Sequence, residues 1–448
     1  MSSRSRILGA SVVATLAVTL AVTLAVTLAV TTPAPAGAGV PPPDQPGWGP
    51  TLRLAPNPRG EALAIDDRGA ITLVWATSTT PGSVVALRRQ PGRGWGDPVV
   101  IGRGSHPQVA TDGLGNVTVA WLTHRRGITD GVAVARRPAG GHWSDPVRVS
   151  ADRAVPGYPH DGEETFGATE ASLAVSSAGD AVVAWAWGSD DRDRPWRVQA
   201  ARRPAGGRWS EPVGVTPADG SRRPQVGVDA DGGALVLYGR QRFGHPQALR
   251  TQTWPVGGTW TDPEVVTWEG YGPALTVDRA GNAVVAFTPD FTSVRATARP
   301  AGGAWERPQR LSPAGADIEA LSLAMNDAGA AVLALGRPAG RVDVVRRAPG
   351  GPWSEAERVV RAGTAGYAVV VALNDAGDTF LAWGGYALLG TFRPSGGTWG
   401  EPVTISPDPG ADVLEAMDAR IAPDGDAAVL WKQESMPLKV RLRSAGPV

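Results

Sequence analysis

The sequence contains no cysteine. The chain therefore cannot form a disulfide, carry a lipid on a cysteine, bind a metal through thiolates or use a sulfur nucleophile. Exported proteins are free to use disulfides, so an exported chain without them needs another source of stability. That source must lie in the packing of the fold and in the way it closes.

An excess of charge of either sign is also missing, because 43 basic residues balance 43 acidic residues. Such a balance gives no electrostatic basis for binding nucleic acid or an anionic membrane surface. We therefore expect neither as a partner, unless the apolar N-terminal segment stays in a membrane.

Local catalytic motifs are missing as well. The sequence has no HExxH, GxSxG or P-loop pattern and no GxGxxG after a predicted strand. The five histidines are dispersed along the chain. We accordingly assign no catalytic residue, no metal ligand and no cofactor from the sequence.

The first 38 residues have the pattern of a secretory signal peptide. Arg4 and Arg6 precede an apolar run at residues 7–30, and small residues at 34–38 offer cleavage sites. The run is long enough to span a bilayer, so a retained anchor is the alternative. Residues 39–45 are expected to form a Pro-rich linker. We expect a secreted, extracellular protein.

Glycine, proline and tryptophan are abundant, with 58, 40 and 17 residues, and they recur in a pattern. A glycine is followed six residues later by a large apolar residue at Trp75, Trp121, Trp185, Tyr238, Phe287, Leu335, Trp383 and Trp431. Gly-Trp or Gly-x-Trp turns alternate with these pairs and end at Trp48, Trp95, Trp143, Trp209, Trp260, Trp305, Trp353 and Trp399. This alternation, at a period of about 50 residues, indicates a repeat architecture. Packing between repeats explains these periodic aromatic residues without any function.

Each unit holds four short apolar runs separated by turn residues, which predicts four antiparallel strands. In the third unit the predicted strands are residues 172–175, 181–186, 198–202 and 212–215. Eight such units predict an all-β fold, an eight-bladed β-propeller that spans residues 46–443 and is followed by a short tail at 444–448.

The two ends of the repeat region complement each other. Trp431 is followed by one more predicted strand, residues 438–443, whereas an unassigned turn and fourth strand lie near the start, at Trp48 and residues 51–54. The N-terminal strand is therefore predicted to complete the last blade, which closes the ring and removes exposed sheet edges. Ring closure would take the place of disulfides.

The propeller predicts two unlike faces. The hairpin face carries the turns that join strands 1 to 2 and strands 3 to 4, such as residues 176–180 and 204–207 of the third unit. Residues with Asx side chains recur near the first of these turns, where they cap their own backbone: Asp67, Asp112, Asp229, Asp278, Asn326, Asn374 and Asp424. Calcium binding by Asp229 and Asp231 is the functional alternative, although a calcium loop needs more oxygen ligands.

The variable face carries the strand 2–3 loops and the blade-to-blade connections. Two insertions, residues 150–170 and 188–195, are predicted to emerge there side by side from blade 3. Loops on a rigid scaffold often bind ligands, and aromatic and acidic side chains suit a sugar, a cation or a basic partner; a solvated insertion is the alternative. The candidate ligand-binding residues are Tyr158, His160, Asp161, Glu163, Glu164, Trp187, Asp190, Asp191, Asp193, Trp196, Trp268 and Tyr271.

The repeat cores VDxxGNAVVAW and RRPAGGxWSxPVxLS resemble those of secreted actinobacterial β-propeller proteins of mostly unassigned function, over residues 46–443. Such chains are often likened to sialidases. The sialidase Asp-box looks like SxDxGxTW, with three residues from glycine to the aromatic residue, whereas the step here is six. No Tyr/Glu/Arg assembly matches a sialidase site. The docking motif of eight-bladed quinoprotein dehydrogenases resembles AxDxxxGKxxW, from which this sequence also departs.

We expect a non-catalytic propeller, a monomer without cofactor, that binds a glycan or another extracellular macromolecule through its variable face. One alternative is a glycan-cleaving hydrolase that pairs Glu163 or Glu164 with Asp190 or Asp191. Another alternative is a scaffold that binds protein partners only.

Overall fold

The structure is a computed structural model. It describes residues 47–79, 82–125, 128–151, 167–188, 195–240, 247–312, 315, 317–361, 368–384, 387–406, 414–433 and 437–445. Within these ranges the chain forms 32 strands and one 3-10 turn, Pro338–Gly340. The strands assemble into eight four-stranded antiparallel sheets, which confirms the predicted eight-bladed β-propeller. The predicted signal peptide and linker lie outside the described residues.

The blades follow one another along the chain, apart from the first strand. That strand is β1 (Leu52–Pro56). Blade 1 contains β2 (Glu61–Ile65), β3 (Ile71–Ala76), β4 (Ser83–Arg89) and β5 (Val99–Arg103). Blade 2 contains β6 (Ser105–Thr111), β7 (Val117–Arg125), β8 (Ile128–Arg137) and β9 (Val147–Arg148). Blade 3 contains β10 (Gly167–Val175), β11 (Ala181–Gly188), β12 (Arg197–Arg203) and β13 (Val213–Gly214). Blade 4 contains β14 (Ser221–Val228), β15 (Ala234–Arg240), β16 (Ala248–Trp254) and β17 (Glu264–Thr267).

The second half of the disc repeats this order. Blade 5 contains β18 (Tyr271–Val277), β19 (Ala283–Thr288), β20 (Arg295–Arg299) and β21 (Gln309–Arg310). Blade 6 contains β22 (Ala320–Met325), β23 (Ala331–Arg337), β24 (Arg341–Arg347) and β25 (Glu357–Val360). Blade 7 contains β26 (Ala368–Leu373), β27 (Thr379–Gly384), β28 (Leu388–Arg393) and β29 (Val403–Thr404). Blade 8 contains β30 (Leu414–Ile421), β31 (Ala427–Gln433), β32 (Pro437–Arg443) and β1.

The ring is closed by the N-terminal strand, as predicted. Strand β1 pairs antiparallel with β32, with Leu52 opposite Val440. The first strand of every blade contacts the first strands of both neighbouring blades, and β30 contacts β2 in the same way. At that junction the Leu63 amide donates a hydrogen bond to the Asp418 carboxylate (3.2 Å). The ends of the propeller are therefore held together by a strand pairing instead of a covalent link.

The periodic aromatic residues pack between blades. Trp185, fully buried at the end of the second strand of blade 3, lies against Leu122 and Val134 of blade 2. The turn residue Trp209 packs against the same cluster from blade 3. Eight interblade clusters of this kind surround the ring, and the large residue of the second strand takes part in each. The structural role predicted for these residues is confirmed.

Strand bounds in blade 3 differ from the prediction at both edges of the sheet. The inner strand β10 begins five residues earlier than predicted. A bulge at Glu170 (φ 54°) shifts the register and allows β10 to pair with β11 upstream of residue 172, where the strand was predicted to begin. The outer strand is only two residues long. Pro212 has no N–H to donate, so the ladder there is limited to Val213 and Gly214.

The first hairpin of most blades is capped by an Asx side chain. In blade 2 the Asp112 carboxylate accepts hydrogen bonds from the amides of Leu114 (3.1 Å) and Asn116 (2.8 Å), while Gly115 has the positive φ that the turn requires. In blade 1 the equivalent cap is Asp66, not Asp67 as predicted. The prediction was one residue out because two aspartates are adjacent there.

Candidate functional site

Eight of the twelve candidate ligand-binding residues lie outside the described residues: Tyr158, His160, Asp161, Glu163, Glu164, Asp190, Asp191 and Asp193. The hydrolase alternative rests on these carboxylates, so its residues also lie outside the described part of the chain. The structure locates the other four candidates, Trp187, Trp196, Trp268 and Tyr271.

Trp187 does not present its indole to a ligand, contrary to the prediction. Strand β11 continues to Gly188, so Trp187 lies within the strand and opposite Ala168 of β10. Side chains two residues apart on a strand share a face. Trp187 therefore joins Trp185 in the cluster between blades 2 and 3, and 1% of it is exposed.

Trp196 is half-buried and organises the variable face locally. Its carbonyl accepts hydrogen bonds from the amides of Gly220 (3.0 Å) and Ser221 (3.1 Å), where the chain enters blade 4. The Arg222 guanidinium lies 5.2 Å from the centre of the indole ring. These contacts hold the connection between blades 3 and 4 in place.

Among the described residues, Trp268 is the most exposed large apolar residue on the variable face, with 66% of its surface accessible. It lies in the connection between β17 and β18. The connection is fixed because the Thr267 hydroxyl bonds with the backbone of Glu269 and the Gly270 amide donates to the Gln247 carbonyl (3.0 Å). The Arg250 guanidinium lies 5.6 Å from the Trp268 ring centre, within cation–π range.

Tyr271 stacks on Phe291, which was not among the predicted site residues. The two ring centroids are 4.9 Å apart and the planes differ by 27°. Phe291 is 57% exposed and has a φ of 58°, which is rare for a bulky residue. The turn is held by Asp290, whose carboxylate accepts bonds from the Thr292 amide (3.0 Å) and the Ser293 hydroxyl (2.9 Å).

Trp268, Tyr271 and Phe291 together form what we call the aromatic platform, on the variable face where blade 4 meets blade 5. The sequence suggested two of its members. The third could have been found from an aromatic residue that directly follows the Pro289–Asp290 turn pair, since turn residues are exposed.

Two histidines that are distant in the sequence meet on the variable face of blade 2. The Ser105 hydroxyl lies 2.7 Å from Nε2 of His124 and 3.0 Å from Nδ1 of His106. Partial loss of hydration lowers the pKa of both imidazoles, although His106 is exposed and His124 only half-buried, and the Arg59 guanidinium lowers it further. Ser105 is 2% exposed, so its hydroxyl organises the start of the blade and cannot reach a substrate as a nucleophile.

Two of the cavities in the described part of the chain lie away from the aromatic platform. The central cavity, of about 440 Å³, is lined by the inner strands, mainly by aliphatic residues such as Ala110 and Val175. The blade 1–2 groove, of about 750 Å³, lies at the outer edge of the disc towards the hairpin face and is lined by residues that include Arg88, Trp95, Arg137 and Trp143.

Neither a metal centre nor a membrane-spanning helix is found within the described ranges. No three His, Cys, Asp or Glu side chains there are grouped as metal ligands. At the predicted calcium alternative, the Asp229 carboxylate instead accepts bonds from the Asp231 (3.0 Å) and Gly233 (2.7 Å) amides of its own turn. No helical segment of this part of the chain has the length and apolar character of a membrane span.

Comparison with known proteins shows the fold. Neither a family model nor a curated protein matches the sequence. Among solved structures, the BP39L lectin from Burkholderia pseudomallei is similar with a TM-score of 0.53 and 14% identity, over 79% of this chain and 100% of the lectin. An intramolecular trans-sialidase from Ruminococcus gnavus matches 76% of this chain and 94% of its own, with a TM-score of 0.41 and 12% identity. An ulvan lyase, a polysaccharide lyase, matches 72% and 76% with a TM-score of 0.39 and 13% identity.

Proposed function

We propose that the protein is a non-catalytic glycan-binding propeller and that the aromatic platform is its binding surface. The observation that carries the proposal is the exposure of two large aromatic side chains on one face, Trp268 at 66% and Phe291 at 57%, with the half-buried Tyr271 stacked on Phe291. Exposed apolar patches on soluble proteins often mark ligand-binding sites.

The platform has the chemistry that a sugar needs. An aromatic ring offers a flat apolar face to the C–H groups of a pyranose, while polar groups nearby bind its hydroxyls. Arg250 lies beside the Trp268 ring, and the carboxylate of Asp290 lies next to Phe291. Because backbone hydrogen bonds hold both aromatic turns, little conformational entropy would be lost on binding.

The similarity to a lectin supports this proposal only at the level of the fold. Propellers host several unrelated functions, so the fold alone does not identify the ligand. We also propose that the protein acts outside the cell as a monomer. The support for an extracellular location is the basic and apolar composition of the first 38 residues.

The test is binding of the full chain to a glycan array, followed by titration of the glycans retained. Trp268→Ala and Phe291→Gly should each weaken binding at least about tenfold, as expected for truncated aromatic contacts. Glycine is chosen at position 291 because it adopts a φ of 58° without strain, so the turn is preserved while the ring is lost.

Val256→Ala is the matched control. Val256 is 63% exposed and belongs to blade 4, but it lies in the strand 3–4 turn on the hairpin face. The Val256→Ala variant should leave glycan binding unchanged. Full binding by both platform variants would contradict the proposed site, and release of shorter fragments from the bound glycan would contradict the absence of catalysis.

A further inference from the structure

The junction of blades 5 and 6 contains an ion pair that the junction of blades 1 and 2 does not have. At the junction of blades 5 and 6, Nη2 of Arg347 lies 3.0 and 3.3 Å from the two carboxylate oxygens of Glu306. Arg347 stands six residues before the turn residue Trp353, and Glu306 directly follows the turn residue Trp305. The carboxylate of one blade thus neutralises the guanidinium of the next.

The junction of blades 1 and 2 has the same arginine but no carboxylate beside it, and Glu306 is the one acidic residue in the sequence that directly follows a turn tryptophan. Arg137 stands six residues before Trp143, in the place of Arg347, whereas Gly96 follows Trp95 in the place of Glu306. Nη1 of Arg137 is buried and has no hydrogen-bond partner. A buried charged donor without an acceptor is costly, because it has lost its water and gained nothing in return.

The surroundings do not supply the missing negative charge. Arg88, which also lines the groove, forms an ion pair with Asp66 (2.8 Å), so that carboxylate is already engaged. Asp97 and Asp145 line the groove, yet neither forms an ion pair with Arg137 within the described chain. Burial lowers the pKa of the Arg137 guanidinium, and the charge of Arg88 lowers it further.

The groove beside Arg137 is large enough for a ligand. The blade 1–2 groove measures about 750 Å³, whereas the cavity that contains Glu306 and Arg347 measures about 160 Å³. Trp95 and Trp143, both partly exposed, line the larger groove. A guanidinium binds a carboxylate through paired hydrogen bonds, and an indole packs against a sugar ring.

We propose that the blade 1–2 groove is a second binding site, which takes an acidic sugar with its carboxylate on Arg137 and its ring against the groove tryptophans. The ligand carboxylate occupies the role that Glu306 plays at the junction of blades 5 and 6. The site lies away from the aromatic platform and does not depend on the function proposed for it.

The probe is glucuronic acid, titrated into the full chain and followed by tryptophan fluorescence and by calorimetry. Binding should weaken at least about tenfold in Arg137→Gln, which is the loss expected for a hydrogen bond between charged groups. Glucose, which has the ring without the carboxylate, and inorganic sulfate, which has charge without the ring, should each bind at least about tenfold more weakly than glucuronic acid.

Gly96→Glu is the most decisive variant. It places a carboxylate of the protein beside Arg137, as Glu306 lies beside Arg347, and should therefore abolish binding. Gly96→Gln has the same size without the charge and should retain it. A side chain is tolerated at this position, since a Cβ there would lie 3.4 Å from the Arg88 carbonyl oxygen and the glycine does not have a positive φ.

Each remaining outcome contradicts the proposal. Equal binding by the native chain and Arg137→Gln would remove the arginine from the site, and equal binding of sulfate would remove the sugar ring from the ligand. Absence of glucuronic acid binding to the native chain would overturn the site altogether. Trp268→Ala should bind glucuronic acid normally, which separates this site from the aromatic platform.

Discussion

The hairpin face and the variable face are made by the same strands but follow different rules. On the hairpin face the turns repeat with the period of the chain, and side chains such as Asp112 and Asp278 serve the backbone of their own turn. On the variable face, Phe291 and Trp268 satisfy no repeated requirement and remain exposed. A residue that recurs in every blade therefore has at least a packing role, whereas the exposure of Phe291 and Trp268 calls for a separate explanation.

The largest expected effect separates the two kinds of tryptophan. Trp185→Ala should destabilise the fold by about 3–5 kcal/mol, because it empties a fully buried position between blades 2 and 3. Trp268→Ala should change the unfolding free energy by no more than about 0.5 kcal/mol, since its side chain is largely in water. Urea unfolding followed by circular dichroism measures both.

Comparable losses in the two variants would remove the distinction between packing and binding aromatic residues. Glycan binding gives the complementary measurement. Trp185→Ala should retain binding at temperatures where it is folded, whereas Trp268→Ala should lose it.

The number of blades and the closure of the ring could be predicted from the sequence because each follows from a requirement that eight units share. Every blade has to bury one face against its neighbour, so a large residue such as Trp431 recurs at a fixed position. The strand missing from the last unit could only be supplied by residues near position 52. Repetition makes such inferences robust to variation in a single unit.

Features that occur once could not be predicted in this way. Phe291 lies on the aromatic platform because one turn is capped by Asp290, and Nη1 of Arg137 has no partner because the neighbouring blade places Gly96, not an acceptor side chain, beside it. Trp187 was wrongly assigned to a loop because β11 runs longer than the repeat pattern suggests. Such facts depend on three-dimensional neighbours, which the period does not specify.

The histidine pair gives a smaller effect, confined to the variable face of blade 2. Partial loss of hydration and the positive charge of Arg59 both lower the pKa of His124, and the negative charge of Asp130 partly offsets this lowering. The pKa of His106 is lowered by loss of hydration and by Arg59. The unfolded chain then binds protons more readily than the folded one below the ordinary pKa of about 6.5. Stability should therefore fall as the pH drops through this value.

Unfolding free energies at pH 7.5 and 5.5 measure this loss. His124→Gln, which can still bond with the Ser105 hydroxyl, should lose less stability on acidification than the native chain. His142→Gln changes an exposed histidine at the hairpin face and serves as the control. An equal loss in the native chain and in His124→Gln would contradict the assignment to this pair.

The smallest effect concerns a group of carboxylates on the hairpin face. Partial loss of hydration at the surface raises the pKa of Asp67, and the nearby Asp375 raises it further. Asp327 has a raised pKa for the same two causes, while Arg279 opposes the rise in both. A carboxyl whose pKa is higher in the folded chain than in the unfolded chain favours folding when it is protonated. This contribution is fully present below the unfolded value and is lost as the pH rises through the folded value.

Asp67→Asn should therefore stabilise the protein at pH 7, by less than about 1 kcal/mol because the group is exposed to solvent. The gain should shrink as the pH is lowered towards 3.8, where the native carboxyl becomes protonated as well. Arg279→Gln should have the opposite sign at pH 7, since it removes the cation that the carboxylates share. Urea midpoints at pH 7 and pH 4 measure both variants. A loss of stability in Asp67→Asn at pH 7 would mean that this carboxylate caps its turn after all, and the hairpin face would then follow its repeated rule without exception.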